Sequence, residues 1–322
     1  MSFWLPGLFG SLAATPLQPG LTLSTTYYHT SVSASGDVAL AREFETRRVP
    51  VGLAATLSGS VSANIDLALV NAIYTFPTPV LGGQANISLL SIYGRSNTSL
   101  DATLSGVLTV GPFQFPFLRS DSFSDTVWGF GDLYPMLSLR WNSGVSNWMV
   151  YLTGDIPVGT YSDTSLANIG IGHGAIDAGY GYTYFNPQTG HEFSAVLGIT
   201  YNFTNQSTQY QNGVDMHLDW GASQFLSKQF LVGIVGYVYK EVGCDSGSGD
   251  RLGCFQSQVV GLGPQIGFIF PVGNLQGYLN LKGYREFAAA DRPDGWNVWA
   301  SFVISPAPPM SSAPPSHRMI TK

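Results

Sequence analysis

In Glu192–Phe203, the odd positions hold Phe193, Ala195, Leu197, Ile199, Tyr201 and Phe203. The even positions hold Glu192, Ser194, Val196, Gly198, Thr200 and Asn202. A period of two means a β-strand, because successive side chains leave opposite faces of the backbone. The pattern returns through residues 128–304 in runs of about ten residues, roughly the length a tilted strand needs to cross a bilayer core. One face suits lipid and the other suits water. Repeated around a closed sheet, that pattern predicts an all-β fold, a transmembrane antiparallel β-barrel.

Composition agrees. Charged residues make up 11% of the chain, aromatics 13%, and there are 38 glycines; an ordinary soluble domain carries roughly 25% charged residues. No uninterrupted apolar run is long enough for a transmembrane helix. A closed barrel is then the remaining way to cross a bilayer with every backbone polar group paired. The formal net charge of −6 and the lack of a basic cluster argue against a nucleic acid partner. Cys244 and Cys254 sit in a Gly/Ser/Asp-rich segment and read as a disulfide closing one loop in an oxidising compartment, with two free thiols as the alternative. Two cysteines without nearby histidines do not make a metal site. No cofactor is expected.

Connections fix the strand count. Asn142–Gly144, Pro187–Gly190, Ser227–Gln229 and Val272–Asn274 are tight and rich in Gly, Asn or Pro, whereas Thr160–Gly174, Thr204–Gly213, Glu241–Cys254 and Ala288–Asp294 are longer. Short turns on the periplasmic side and long loops outside are the habit of outer-membrane barrels. Nine strands fall between Trp128 and Ile304, and both chain ends must be periplasmic, so the preceding region supplies an odd number. Leu21–Val32, Ser60–Phe76 and Val80–Tyr93 give twelve in all. Adding Leu100–Val110 and splitting the Val51–Phe76 region gives fourteen as the alternative.

Parity divides the side chains. The lipid face takes residues such as Leu137, Leu152, Ile176, Met216 and Leu262. The opposite face collects Asp132, Arg140, Asp155, Asp177, Glu192, Asp215, His217, Asp219, Lys282 and Glu286, which are expected to line the lumen. A lysine or arginine facing lipid at mid-depth costs about 2–4 kcal/mol, and a hydrated lumen avoids that cost. Asp132, Asp155, Asp177 and Asp215 fall toward the outer half as an acidic collar. Either they pair with Arg140, Lys282, Arg285 or inner-segment donors, or they select solutes. His217, Asp219 and Ser223 share one face of one strand, but a serine six residues from the histidine lies about 20 Å away along it. That is too far for proton transfer, so no catalytic residue is assigned and the chain does not read as an enzyme.

Three units follow. Residues 1–19 are too apolar for a free tail and too rich in Pro and Gly for a long helix. They are expected to plug the lumen with Phe3, Trp4, Leu5, Pro6, Leu8 and Phe9, a periplasmic arm being the alternative. Residues 20–305 form the barrel, and the Pro-rich residues 306–322 read as a disordered tail. MSFWLPGLFG has neither a basic n-region nor a continuous apolar h-region, so it does not read as a secretory signal.

The ordered segments FWLPGLFGSLAATP, LGGQANIS, GFGD, YLTGDIPVG, TYFNPQTGHEFS, GITYNFTNQSTQYQNGVDMHLDW, VGIVGYVYKEVG, GLGPQIGFIF and GWNVWASFVIS resemble the meta-pathway phenol-degradation family of outer-membrane channel proteins. The resemblance covers most of residues 3–304. It implies a monomeric twelve-stranded barrel in the Gram-negative outer membrane, with an N-terminal segment narrowing the lumen. The partners are then the lipid bilayer and small-molecule solutes. The function expected is passive uptake of small hydrophobic or aromatic molecules. The alternative is a surface binding or structural barrel acting through its outer loops.

Overall fold

The computed structural model describes residues 3–46, 49–250, 254 and 256–308. Twelve antiparallel strands follow in chain order: β1 (Gly20–Thr46), β2 (Val49–Thr75), β3 (Gln84–Val110), β4 (Phe113–Ser143), β5 (Ser146–Asp155), β6 (Ala175–Asn186), β7 (His191–Asn202), β8 (Asp215–Phe225), β9 (Phe230–Glu241), β10 (Gln258–Val272), β11 (Leu275–Ala290) and β12 (Asp294–Pro306). Each pairs with its neighbours in sequence, and β1 closes on β12 from Leu23 opposite Ile304 to Ser33 opposite Asp294. Closure leaves no unpaired sheet edge in the membrane zone.

The twelve-strand count holds, but the first four strands are far longer than the alternation predicts. After β1 leaves β12 at Ser33, it continues pairing with β2 through Thr46 opposite Val49. Strands β3 and β4 run together to Val110 opposite Phe113. At about 3.3 Å per residue, the thirteen residues of β1 past Ser33 reach about 40 Å beyond the barrel's closure. Leu100–Val110 is therefore the outer part of β3, and the Val51–Phe76 region holds one strand, β2, not two, which removes the fourteen-strand alternative. Beyond lipid, strand pairing needs no apolar face, so a Ser/Gly/Ala-rich sequence such as 54–63 extends the sheet without showing a period-two signal.

The outward face is the apolar one. Leu137, Leu152, Ile176, Leu197, Ile199, Leu262 and Ile266 are all exposed. Aromatics flank this belt at both ends. Trp148 and Tyr182 lie 6.2 Å apart near the tight turns, and Tyr93 and Phe130 lie 4.9 Å apart toward the loops. Such girdles mark the two membrane–water boundaries.

The interior departs from a purely polar face. Tyr28, Leu67, Leu69, Ile92, Val235, Tyr237, Tyr239, Tyr284 and Trp299 form a buried apolar cluster alongside the buried acids. The loop between β5 and β6 folds inward, with Thr160 N bonded to Phe130 O at 2.7 Å and Ile169 and Ile171 packed against the interior clusters.

Candidate functional site

The N-terminal segment makes the interior unusual. Phe3 and Trp4 are buried, and Leu5, Pro6, Leu8 and Phe9 are half-buried. Trp4 stacks on His217 with ring centres 3.6 Å apart and planes 14° from parallel. Phe3 lies 5.4 Å from the Tyr134 ring. His217 Nε2 is 2.9 Å from Asp177 Oδ2, which also accepts from Thr200 Oγ1 at 2.6 Å, so the imidazole beneath Trp4 is fixed in place.

Backbone contacts hold the rest of the segment. Asp219 accepts from Gly7 N at 2.9 Å and Phe9 N at 3.1 Å. Lys282 Nζ donates to Gly7 O at 2.6 Å and Phe9 O at 3.3 Å. Leu12 N donates to Glu192 Oε1 at 2.9 Å, and Ala14 N to Thr183 Oγ1 at 3.0 Å. Ser11 and Ser223 share a hydroxyl–hydroxyl bond of 2.7 Å. Arg140 Nη1 donates to Thr15 O at 2.7 Å, and Gln84 brackets Leu17 with bonds of 2.8 and 2.6 Å. A segment without regular structure must find partners for its buried N–H and C=O groups, and here the barrel wall supplies them. Two glycines make the fit possible. Gly7 has φ +90° and faces the Tyr284 ring, and a Cβ on Gly221 would meet Ser11 N and Oγ at 2.9 Å.

The acidic collar is organised differently from the expectation. Arg140, Lys282 and Arg285 donate to backbone carbonyls, Arg285 Nη1 reaching Gly295 O at 3.2 Å, so they are not the partners of the collar acids. Among the described residues the ion pairs are His29–Asp66, Arg119–Asp121 and His217–Asp177. Asp132 instead caps the inward loop, accepting from Gly159 N at 2.7 Å and Ile171 N at 2.8 Å. Asp215 accepts from Tyr239 Oη at 2.5 Å and Asn202 Nδ2 at 2.9 Å. Asp155 is buried with no hydrogen-bond partner on either oxygen among the described residues. Glu286 accepts from Tyr237 Oη at 2.7 Å and Gly295 N at 2.9 Å. His217, Asp219 and Ser223 serve three separate contacts and form no catalytic relay.

Two cavities flank the segment. One, of about 510 Å³, opens toward the tight turns, and its wall includes Thr22, Ser24, Asn71, Arg140 and Lys282, with Leu8, Phe9 and Leu17 from the segment. The other, of about 450 Å³, lies toward the loops and is lined by Tyr28, Tyr239, Glu241, Asp245, Glu286 and Arg292. Phe3, Trp4, Leu5 and Tyr134 line both, so these four side chains stand between them. Glu241, Asp245, Tyr210 and Arg292 escaped the sequence reading because they lie at strand ends and in loops, where parity carries no information. Cys244 and Cys254 are joined, as expected, with Cα atoms 4.6 Å apart. Next to the disulfide, Asp245 accepts from Gly213 N at 2.9 Å and from the Tyr210 hydroxyl. Burial, then the Asp245 carboxylate, pushes that hydroxyl well above the ordinary phenol range, so it remains a donor at alkaline pH.

In fold, the chain is similar to the COG4313 outer membrane channel of Pseudomonas putida F1, at 13% identity over 90% of this chain and 97% of that one, with a TM-score of 0.65. More distant likenesses are a Pseudomonas aeruginosa FadL homologue (9% identity, 88% of each chain, TM-score 0.39) and the transport unit of the autotransporter AIDA-I of Escherichia coli (10%, 90% and 91%, 0.43). No curated protein sequence matches the chain. The family model described as "Putative MetA-pathway of phenol degradation" matches residues 46–302. Its strand order, its apolar belt and that match together identify the chain as a member of this family, a twelve-stranded barrel of the outer-membrane type.

Proposed function

We propose that the protein is a passive outer-membrane channel for small hydrophobic or aromatic molecules, with residues 3–17 as a lumen plug that sets its bore. The single observation behind this reading is the pair of cavities, about 510 and 450 Å³, separated by Phe3, Trp4, Leu5 and Tyr134. A solute path needs sites weak enough to leave and a constriction that sorts by size and polarity, with no catalytic group. Apolar segment side chains facing hydroxyl- and amide-bearing walls suit a compact molecule with an apolar body and one or two polar atoms. The tight turns then face the periplasm and the loops face outward, as the aromatic girdles and turn asymmetry support.

Proteoliposomes carrying the full chain test this. They are expected to admit small neutral aromatic alcohols faster than protein-free vesicles and to exclude solutes larger than either cavity. Equal rates with and without protein, both for the full chain and for a chain lacking residues 3–17, would remove the reading.

A further inference from the structure

Arg140 sits in the cavity near the turns in an unusual electrostatic setting. Among the described residues its guanidinium makes one hydrogen bond, Nη1 to Thr15 O at 2.7 Å, while its Nε is buried without a partner. Among the described residues it forms no ion pair, and no Asp or Glu of theirs lines the cavity. The other cation on this wall, Lys282, is occupied by two segment carbonyls and lies 5.1 Å from the Trp299 ring. Thr22, 2% exposed, also lines the cavity, and its buried hydroxyl has no hydrogen-bond partner among the described residues. A half-buried guanidinium with no counter-charge among the described residues is costly, and its planar fork matches the paired oxygens of a carboxylate. Leu8, Phe9 and Leu17 line the same cavity.

We propose that this turn-side cavity is a binding site for a small organic monoanion, a carboxylate carried on a compact apolar body, with Arg140 as the group that recognises it. The segment's apolar side chains take the body of the ligand. The loop-side cavity has the opposite character, with Glu241, Asp245, Glu286 and Asp291 against Arg292. The anion site is therefore confined to the turn side, the periplasmic end. The site deepens the channel reading by naming a ligand class, and its test does not depend on conduction.

Calorimetric titration of the full-length chain in detergent, with three probes of one shape, tests the site. Phenylacetate is expected to bind at least about tenfold more tightly than 2-phenylethanol or 2-phenylethylammonium. Arg140→Gln should lower phenylacetate affinity at least about tenfold and so abolish that preference. Equal affinity for the three probes on the unmodified protein, absence of phenylacetate binding, or a preference that survives in Arg140→Gln overturns the proposal. The probe comparison on the unmodified protein decides the matter if the variant does not assemble. A barrel that binds phenylacetate but passes no solute would refute the channel and leave the site standing.

Discussion

Asp219 shows how much one side chain can do in this interior. It is buried, and its two oxygens each take a backbone N–H of the N-terminal segment. Hydrogen bonds to a charged acceptor contribute about 1.5–3 kcal/mol. Asp219→Asn keeps the shape and removes the charge and one acceptor, so the segment should detach more often. Single-channel recordings of this variant should show a higher open level or frequent steps to one, with the folded barrel's gel mobility unchanged. Gly221→Val acts by volume, since its Cβ would meet Ser11 at 2.9 Å. Limited proteolysis from the turn side should then cut residues 3–17 faster than in the unmodified chain. Parity alone placed Asp219 on the inner face. It could not say that the carboxylate serves the segment, because the segment's irregular backbone has no period to match against the wall.

At the scale of elements, the transmembrane parts of the strands were legible because lipid imposes a rule on every second residue. Glu192–Phe203 became β7 at His191–Asn202, a shift of one residue at each end. The outer halves of β1 to β4 were not legible, because water imposes no such rule on a sheet standing above the membrane. That difference predicts their independence from the barrel. Removing Ala102–Asp121, so that the paired residues Asp101 and Ser122 join through a short turn, should leave a heat-modifiable folded barrel in gels and unchanged conductance. The two ends of the loop after β9 are held by the Cys244–Cys254 disulfide, by Asp245 and by Glu241, whose Oε2 accepts from Ser257 N at 3.2 Å. Changing both Cys244 and Cys254 to Ser should expose this loop to added protease on intact cells, while the strands remain protected.

Across the whole molecule, the outer wall answers to lipid and the inner wall to a segment of the same chain. Sequence parity reads the first constraint fully and the second in part. It placed Glu192, Asp219 and Lys282 inside, and each holds the segment. It missed the apolar cluster around Tyr28, Tyr237 and Trp299, because an inward aromatic on a barrel strand looks like a lipid-facing one out of register. The proposed channel depends most heavily on the segment as the limit to flow. Single-channel conductance of the full chain and of a chain lacking residues 3–17, measured in the same planar bilayers and salt, tests this most directly. Small, stable openings are expected for the full chain and a several-fold larger conductance for the shortened one. Equal conductance in the two, with both folded as barrels, would contradict it.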